Sequence, residues 1–218
     1  MQRVLIPVII FAAVGLMLSI VGLVVTVQRR GGPGPVVIQP DPSVAGLRIP
    51  EFAFTDESGQ PQTHEILDGR VTILDFIFTN CPFACPMMTG AMVELSAKLE
   101  GTPVRQLSIS VDPERDTPEK LRQYAANNDA DPSRWKFLTG DAKEVERVVR
   151  DGLQFAIGPD ESRPVSLPDG TTMTNIIHPT RLILVGPDRR VLGMYDPNRD
   201  EDMRTLEARA RAAAKALP

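Results

Sequence analysis

The stretch Arg70-Val71-Thr72-Ile73-Leu74-Asp75-Phe76-Ile77-Phe78 leaves this chain little choice of fold. It is rich in β-branched and aromatic residues with little polar interruption, the composition of a strand buried on both faces. Such a strand needs neighbours in a sheet and cover above and below. It runs straight into Thr79-Asn80-Cys81-Pro82-Phe83-Ala84-Cys85-Pro86, which holds the only two cysteines of the 218 residues. Beyond Pro86, the apolar residues Met88, Met92, Leu95 and Leu99 recur at three- and four-residue spacing. That is the mark of a helix with one buried face, here closed by Gly101. The cysteines therefore sit where a core strand turns into a helix.

The rest of the chain supplies the neighbours. A second apolar strand, Val104 to Val111, ends in Asp112-Pro113-Glu114-Arg115-Asp116-Thr117-Pro118-Glu119. Thr117 is a helix cap with proline in the first helical position, so a helix follows to Asn127. A short strand at 135–138, a helix at 142–151 and a strand at 153–157 continue the alternation. Residues 158–170 are polar and proline-containing and read as a surface loop. His178 then precedes a strand at 180–185, which Gly186-Pro187-Asp188 turns into an antiparallel partner at 191–195. Asp200-Glu201-Asp202 opens a last helix whose basic residues Arg204, Arg209, Arg211 and Lys215 come later, as the helix dipole prefers. Upstream, Ile49 to Phe54 and Gln60 to His64 form an N-terminal hairpin. Strands alternating with helices at this spacing imply an α/β fold, a central sheet flanked by helices, spanning 47–218.

Residues 4–27 contain no charged side chain. As a helix they would reach roughly 36 Å, enough to span a bilayer core of about 30 Å. A cleavable signal peptide is the rival reading, but its apolar core is usually shorter, and no small-residue cleavage site precedes Arg29. The expectation is a single transmembrane anchor at 1–28, then a tether of glycine and proline at 29–46. Arg29 and Arg30 compete with Arg3 and the terminal amine, so charge alone does not orient the anchor. After position 46 the chain carries 21 basic and 27 acidic residues, with no basic stripe. That argues against nucleic acid as a partner.

Two thiols at a strand-to-helix turn can close a structural disulfide, attack another disulfide or bind a soft metal. A structural bridge would close a loop of only about five residues, and its stabilisation would be small. Reactivity requires the thiolate, which the free N–H groups at the helix start are expected to favour at Cys81 and Cys85. His178 adds an imidazole, and two thiolates with one imidazole suit copper in either oxidation state. A closed zinc site wants four ligands, and only three are evident. His64 is expected to face solvent. Met87, Met88 and Met92 are read as core filling, and Asp112, Asp116 and Glu119 as capping residues.

The CxxxC segment after its strand, the run Val111 to Glu119 after the next strand and His178 before a late strand together resemble the Sco/SenC family. The resemblance covers roughly residues 47–200. It implies a thioredoxin-like fold with a central mixed sheet, in which Cys81, Cys85 and His178 ligate one copper ion, Cu(I) or Cu(II). The implied role is delivery of that ion to the binuclear copper centre of cytochrome c oxidase subunit II, with an upstream copper donor as a further partner. The implied location is the inner membrane of a bacterium, with the C-terminal domain in the periplasm. The alternative is a thiol-disulfide reductase in which Cys81 and Cys85 act as a redox-active pair on the partner's cysteines. The chain departs from the family at Ile177-His178-Pro179, where members commonly carry Asp-His-Ser, and at Phe83-Ala84, which is more apolar than usual.

Overall fold

The computed structural model describes residues 38–82, 84–167 and 169–217 together with Met17. It divides into two compact units, residues 1–36 and 37–218. The expected membrane anchor and most of the tether lie outside the described residues. Among the described residues, no helix is long and apolar enough to cross a membrane.

In chain order the second unit contains β1 (Ala53–Asp56), β2 (Pro61–Thr63), β3 (Thr72–Ile77), α1 (Ala84–Lys98), β4 (Arg105–Ser110) and α2 (Pro118–Asn127). It continues with β5 (Trp135–Thr139), α3 (Ala142–Arg147), β6 (Gly158–Ser166), β7 (Thr172–Ile177), β8 (Leu182–Val185), β9 (Val191–Tyr195) and α4 (Asp200–Lys215). Seven strands form one sheet in the order β2-β1-β5-β4-β3-β8-β9. Its centre is parallel, β3 beside β4 and β4 beside β5. Antiparallel hairpins extend it on both sides, β1–β2 next to β5 and β8–β9 next to β3. This is the thioredoxin-like α/β arrangement with a central mixed sheet.

All six residues of β3 are buried, as its composition requires. Parallel neighbours need a crossover, and α1 supplies the one from β3 to β4. Met88 and Met92 on α1 are completely buried, as is Leu95 to within one per cent, so these methionines fill the core. On β5, Trp135 stacks on Phe137 at 4.9 Å and its indole N–H donates to Ser108 Oγ of β4 at 2.9 Å. That bond satisfies the one polar atom of a large buried side chain.

Two expectations fail in the same region. Residues 153–157 are not a strand: α3 runs on into a π-helical turn, Val148–Gly152, and Gln154 adopts a positive φ of 58°. The segment read as a loop is a strand instead, since β6 pairs antiparallel with β7 in a separate two-stranded ribbon. Only Val165 of β6 is buried. A ribbon that buries little beyond the Val165–Met173 pair carries hardly any alternation of apolar and polar residues, which is the signal strands are read from.

The start of the domain is pinned to its far edge. Arg209 of α4 forms an ion pair with Asp41, and it also donates to the carbonyls of Gln39 and Leu192. Gly193 makes room for this arrangement. A Cβ there would fall inside contact distance of the Tyr195 hydroxyl and 2.6 Å from Asp41 Oδ2. Gly193→Ala should therefore lower the unfolding free energy by about 1–3 kcal/mol through overpacking, measured by urea denaturation. An unchanged midpoint would show that Asp41 is not held where the structure places it.

Candidate metal centre

The parallel strand β3 ends at Ile77, and the chain turns at once, with the Cys81 N–H donating to the Phe78 carbonyl at 3.1 Å. Cys85 lies in the first turn of α1, while His178 follows β7 on the approach to β8. The two Sγ atoms and a ring nitrogen of His178 all lie within 4.8 Å of one another. Cys85 Sγ is 3.9 Å from His178 Nε2. No disulfide joins the cysteines. Both cysteines are buried, Cys85 at 1% exposure and Cys81 at 8%.

His178 is oriented on two sides. Its ring meets Phe78 edge-on, with centroids 5.7 Å apart and planes at 86°. Its Nδ1 lies 3.0 Å from the Pro179 carbonyl. A carbonyl only accepts, so Nδ1 carries the proton and Nε2 presents a lone pair towards Cys85. This is the outer hydrogen bond that commonly fixes the tautomer of a metal-binding histidine.

The helix start does not produce a ready thiolate. The hydrogen bond with Cys81 and burial push the Cys85 thiol well above its ordinary range. A helix terminus contributes at most about 2 kcal/mol towards an anion, and here desolvation and the neighbouring sulfur outweigh it. For Cys85 the expectation of position-driven thiolate character is corrected accordingly. Cys85 holds its proton tightly, and a cation that replaces that proton is what turns it into a thiolate.

Residues 41–213 match the family model described as SCO1/SenC. The chain belongs to the SCO1/SenC family. It is 39% identical over 151 residues to the SCO1 protein homolog of Bacillus subtilis, which covers 68% of this chain and 73% of that one. The solved structure of BsSco, described as a member of the Sco family of cytochrome c oxidase assembly proteins with a disulfide switch, is similar with a TM-score of 0.67. It is 32% identical, with 81% of this chain and 98% of that one covered. ScoI of Bradyrhizobium japonicum, solved with copper bound, superposes with a TM-score of 0.61 at 26% identity, covering 75% of this chain and 98% of that one.

In this SCO1/SenC chain the acidic motif after β4 does more than cap a helix. Thr117 does cap α2, accepting from Lys120 N–H at 3.3 Å, and Glu119 sits in the first turn of that helix. Asp116, however, is fully buried and reaches across to the cysteine loop. Its carboxylate accepts from the Thr79 N–H at 3.1 Å, from Thr79 Oγ1 at 2.5 Å and from Ser110 Oγ at 2.5 Å. It thereby ties the end of β4 to the residues just before Cys81. Asp112 is also buried and pairs with Arg115 at 2.9 Å. His64 lies elsewhere, edge-on to Phe52 at 6.4 Å, and is not in the metal group. Met87 packs partly buried against the core.

Asp75 of β3 was not singled out from the sequence. Its carboxylate oxygens have no well-aligned hydrogen-bond partner. Burial pushes its pKa up to about 7, against the opposing influence of the Ser108 side chain on the adjoining strand and of His178. A proton-retaining Asp75 spares the site a further negative charge close to the sulfurs.

Two outcomes follow from these contacts. Asp116→Ala leaves the donors of Thr79 and Ser110 without their acceptor and should cost about 2–4 kcal/mol. Hydrogen exchange should show lost protection at the Thr79 amide; full protection there would mean that Asp116 does not hold the loop. For Asp75, the folded pKa lies above the unfolded value of 3.8, so the folded state binds the extra proton and stability falls as pH rises from about 4 to 7. Asp75→Asn removes this effect. Its stability advantage over wild type should widen by up to about 1.4 kcal/mol per pH unit through that window and then level off. A gap independent of pH would contradict the assignment.

Proposed function

We propose that this chain is a copper carrier, holding one copper ion on Cys81 Sγ, Cys85 Sγ and His178 Nε2 and delivering it to the binuclear copper centre of cytochrome c oxidase subunit II. The observation that carries the reading is the convergence of two sulfurs and one imidazole within 4.8 Å. Two soft thiolates and one borderline nitrogen match copper better than any hard cation. The copper-bound relative from Bradyrhizobium japonicum supports the choice of metal.

Carriage also demands release. Three protein ligands leave room for an incoming donor, so the ion can pass by ligand exchange with no need to dissociate into water. Exchange would begin at Cys81, the less buried of the two cysteine residues. Protons re-enter the thiols as copper leaves, and the high proton affinity of Cys85 favours that return. The proposal includes the layout that this task needs: an anchor at 1–28 in the inner membrane of a bacterium, a tether at 29–46 and a domain at 47–218 in the periplasm. A membrane-bound oxidase subunit would then be within reach of the tethered domain.

The proximity of the two sulfurs also favours a second reading, in which the chain reduces the copper-ligand cysteines of its partner. Cys81 would attack the partner's disulfide, and Cys85 would then displace the reduced partner, closing an internal disulfide. That chemistry does not use His178. Titration of the reduced protein with Cu(I) and Cu(II), repeated on His178→Ala, separates the two. Wild type should take up one equivalent, and the variant should bind more than about tenfold more weakly, since even outer-shell partners of a metal are worth that much. Equal affinity and an unchanged copper spectrum would sink the three-ligand carrier; rapid reduction of an oxidised partner peptide by the metal-free variant would then establish the reductase.

A further inference from the structure

The ribbon of β6 and β7 stands apart from the seven-stranded sheet, so each of its strands has an edge with no neighbouring strand. The two edges are unlike. β6 carries Pro159 and Pro164, the charges of Asp160, Glu161 and Arg163, and a register shift between Asp160 and Val165. Proline, charge and bulges are what keep an open edge from recruiting another strand. β7 is Thr172-Met173-Thr174-Asn175-Ile176-Ile177, with no proline and no charge.

The pairing fixes where the free backbone groups of β7 point. Ile176 stands opposite Pro159. Pro159 has no N–H, so these two residues cannot exchange both bonds of a hydrogen-bonded pair. The ladder bonds therefore fall on either side, at Gly158–Ile177 and Asp160–Asn175. The N–H and C=O of Ile176 point away from β6, and by the alternation along a strand so do those of Thr174.

A hollow of about 400 Å³ adjoins Thr174, Asn175 and Ile176, with apolar wall from Val111, Pro113 and Ile157. Its charged lining is Asp112, Glu114 and Glu146 against Arg115 alone. Arg115 is committed to Asp112 at 2.9 Å, and Glu146 has Arg150 at 2.9 Å. Glu114 is exposed and makes no ion pair among the described residues. The charge it does act on, Asp112, is of like sign. On the opposite face of β7, Ile177 is 48% exposed, and among the described residues Met17 alone shares that condition of a large exposed hydrophobe.

We propose that the free edge of β7 is the docking strand for an extended segment of a partner protein in which β-branched and basic residues alternate. The backbone of such a segment satisfies the outward N–H and C=O of Ile176 and Thr174, adding a third strand to the ribbon. Its side chains alternate between faces as those of β7 do. A β-branched residue covers Ile177 on one face, and a lysine on the other lays its stem along the apolar wall and brings its charge to Glu114. A second copy of this chain fits less well, because β7 has no basic residue to offer Glu114. Since β7 runs directly into His178, the docked segment ends beside the three candidate ligands. That consequence rests on the carrier reading, whereas the strand pairing does not.

The test is fluorescence anisotropy with the full chain, metal-free and copper-loaded, and a labelled, end-blocked heptapeptide of alternating valine and lysine. A counterpart peptide carries glutamate in place of lysine. Saturable one-to-one binding of the lysine peptide is expected, with the glutamate peptide about tenfold weaker or worse, and hydrogen exchange at the Ile176 amide should slow when the lysine peptide is bound. Ile176→Pro removes an outward donor and no bond to β6, and it should weaken binding about tenfold. Glu114→Gln should weaken only the lysine peptide, by up to about fivefold, as befits an exposed charge pair. Its thermal midpoint should not move, which separates lost binding from lost folding. Absence of saturable binding, equal binding of the two peptides, or affinity and Ile176 exchange indifferent to strand pairing would overturn the proposal. So would concentration-dependent dimers that protect the Ile176 amide without peptide, which would assign the edge to a second copy. Binding to the metal-free protein needs no copper, so failure here leaves the carrier reading to its own titration.

Discussion

The antiparallel pairing of β8 with β3 is the constraint from which the site follows. Thr72, Ile73 and Leu74 face Val185, Leu184 and Ile183, so the chain enters β8 at the end where it leaves β3. Cys81 comes four residues after the last residue of β3, and His178 four residues before the first residue of β8. Neighbouring strands of opposite direction thus deliver both to one edge of the sheet. A parallel neighbour would have put the residue before it at the far end, roughly 20 Å away along a six-residue strand. The separation of 93 positions from Cys85 to His178 is bridged by topology, without any local motif.

Once delivered, the three side chains are kept in place by contacts that do not involve a metal. Asp116 fixes the loop ahead of Cys81, the Pro179 carbonyl and Phe78 fix the ring of His178, and the buried face of α1 fixes Cys85. A protonated cysteine behaves as a small hydrophobe, so Cys85 sits in the core cluster at little cost. This differs from small zinc domains, where ligand charges must be met by metal before the chain folds. Here the core around β3 is packed by the chain's own side chains.

How much of this the residues disclosed depended on whether the signal was local. The burial of β3, the apolar face of α1 and the cap at Thr117 are written in composition and spacing, and the structure has them where they were expected. The β6–β7 ribbon was missed because a ribbon that buries so little hardly shows the period of two. Cys81, Cys85 and His178 stood out by residue type, but their meeting depends on strand direction, which no short pattern reveals. Asp116 was read as a cap because an acidic residue before a helix usually is one. Its bonds to Thr79 span 37 positions, and local reasoning has no access to such a partner. The thiol chemistry was misjudged for a related reason: the helix start is visible in sequence, while the burial that outweighs it is a property of the assembled fold.

The setting of His178 shows how a ring can be oriented without a neighbouring carboxylate. The residue before the histidine is Ile177, which is 48% exposed. The hydrogen bond that fixes the ring comes from the other side, from the carbonyl of Pro179. A carboxylate in that role would draw the imidazole towards its charged form and would itself titrate. A backbone carbonyl accepts from Nδ1 and brings no charge of its own. The lone pair on Nε2 therefore stays directed at the sulfurs without adding charge to the site. Burial raises the proton affinity of Asp75 and of Cys85 alike, so neither adds negative charge to the site readily, and the charge that Cys85 offers a soft cation appears as its thiol gives up its proton.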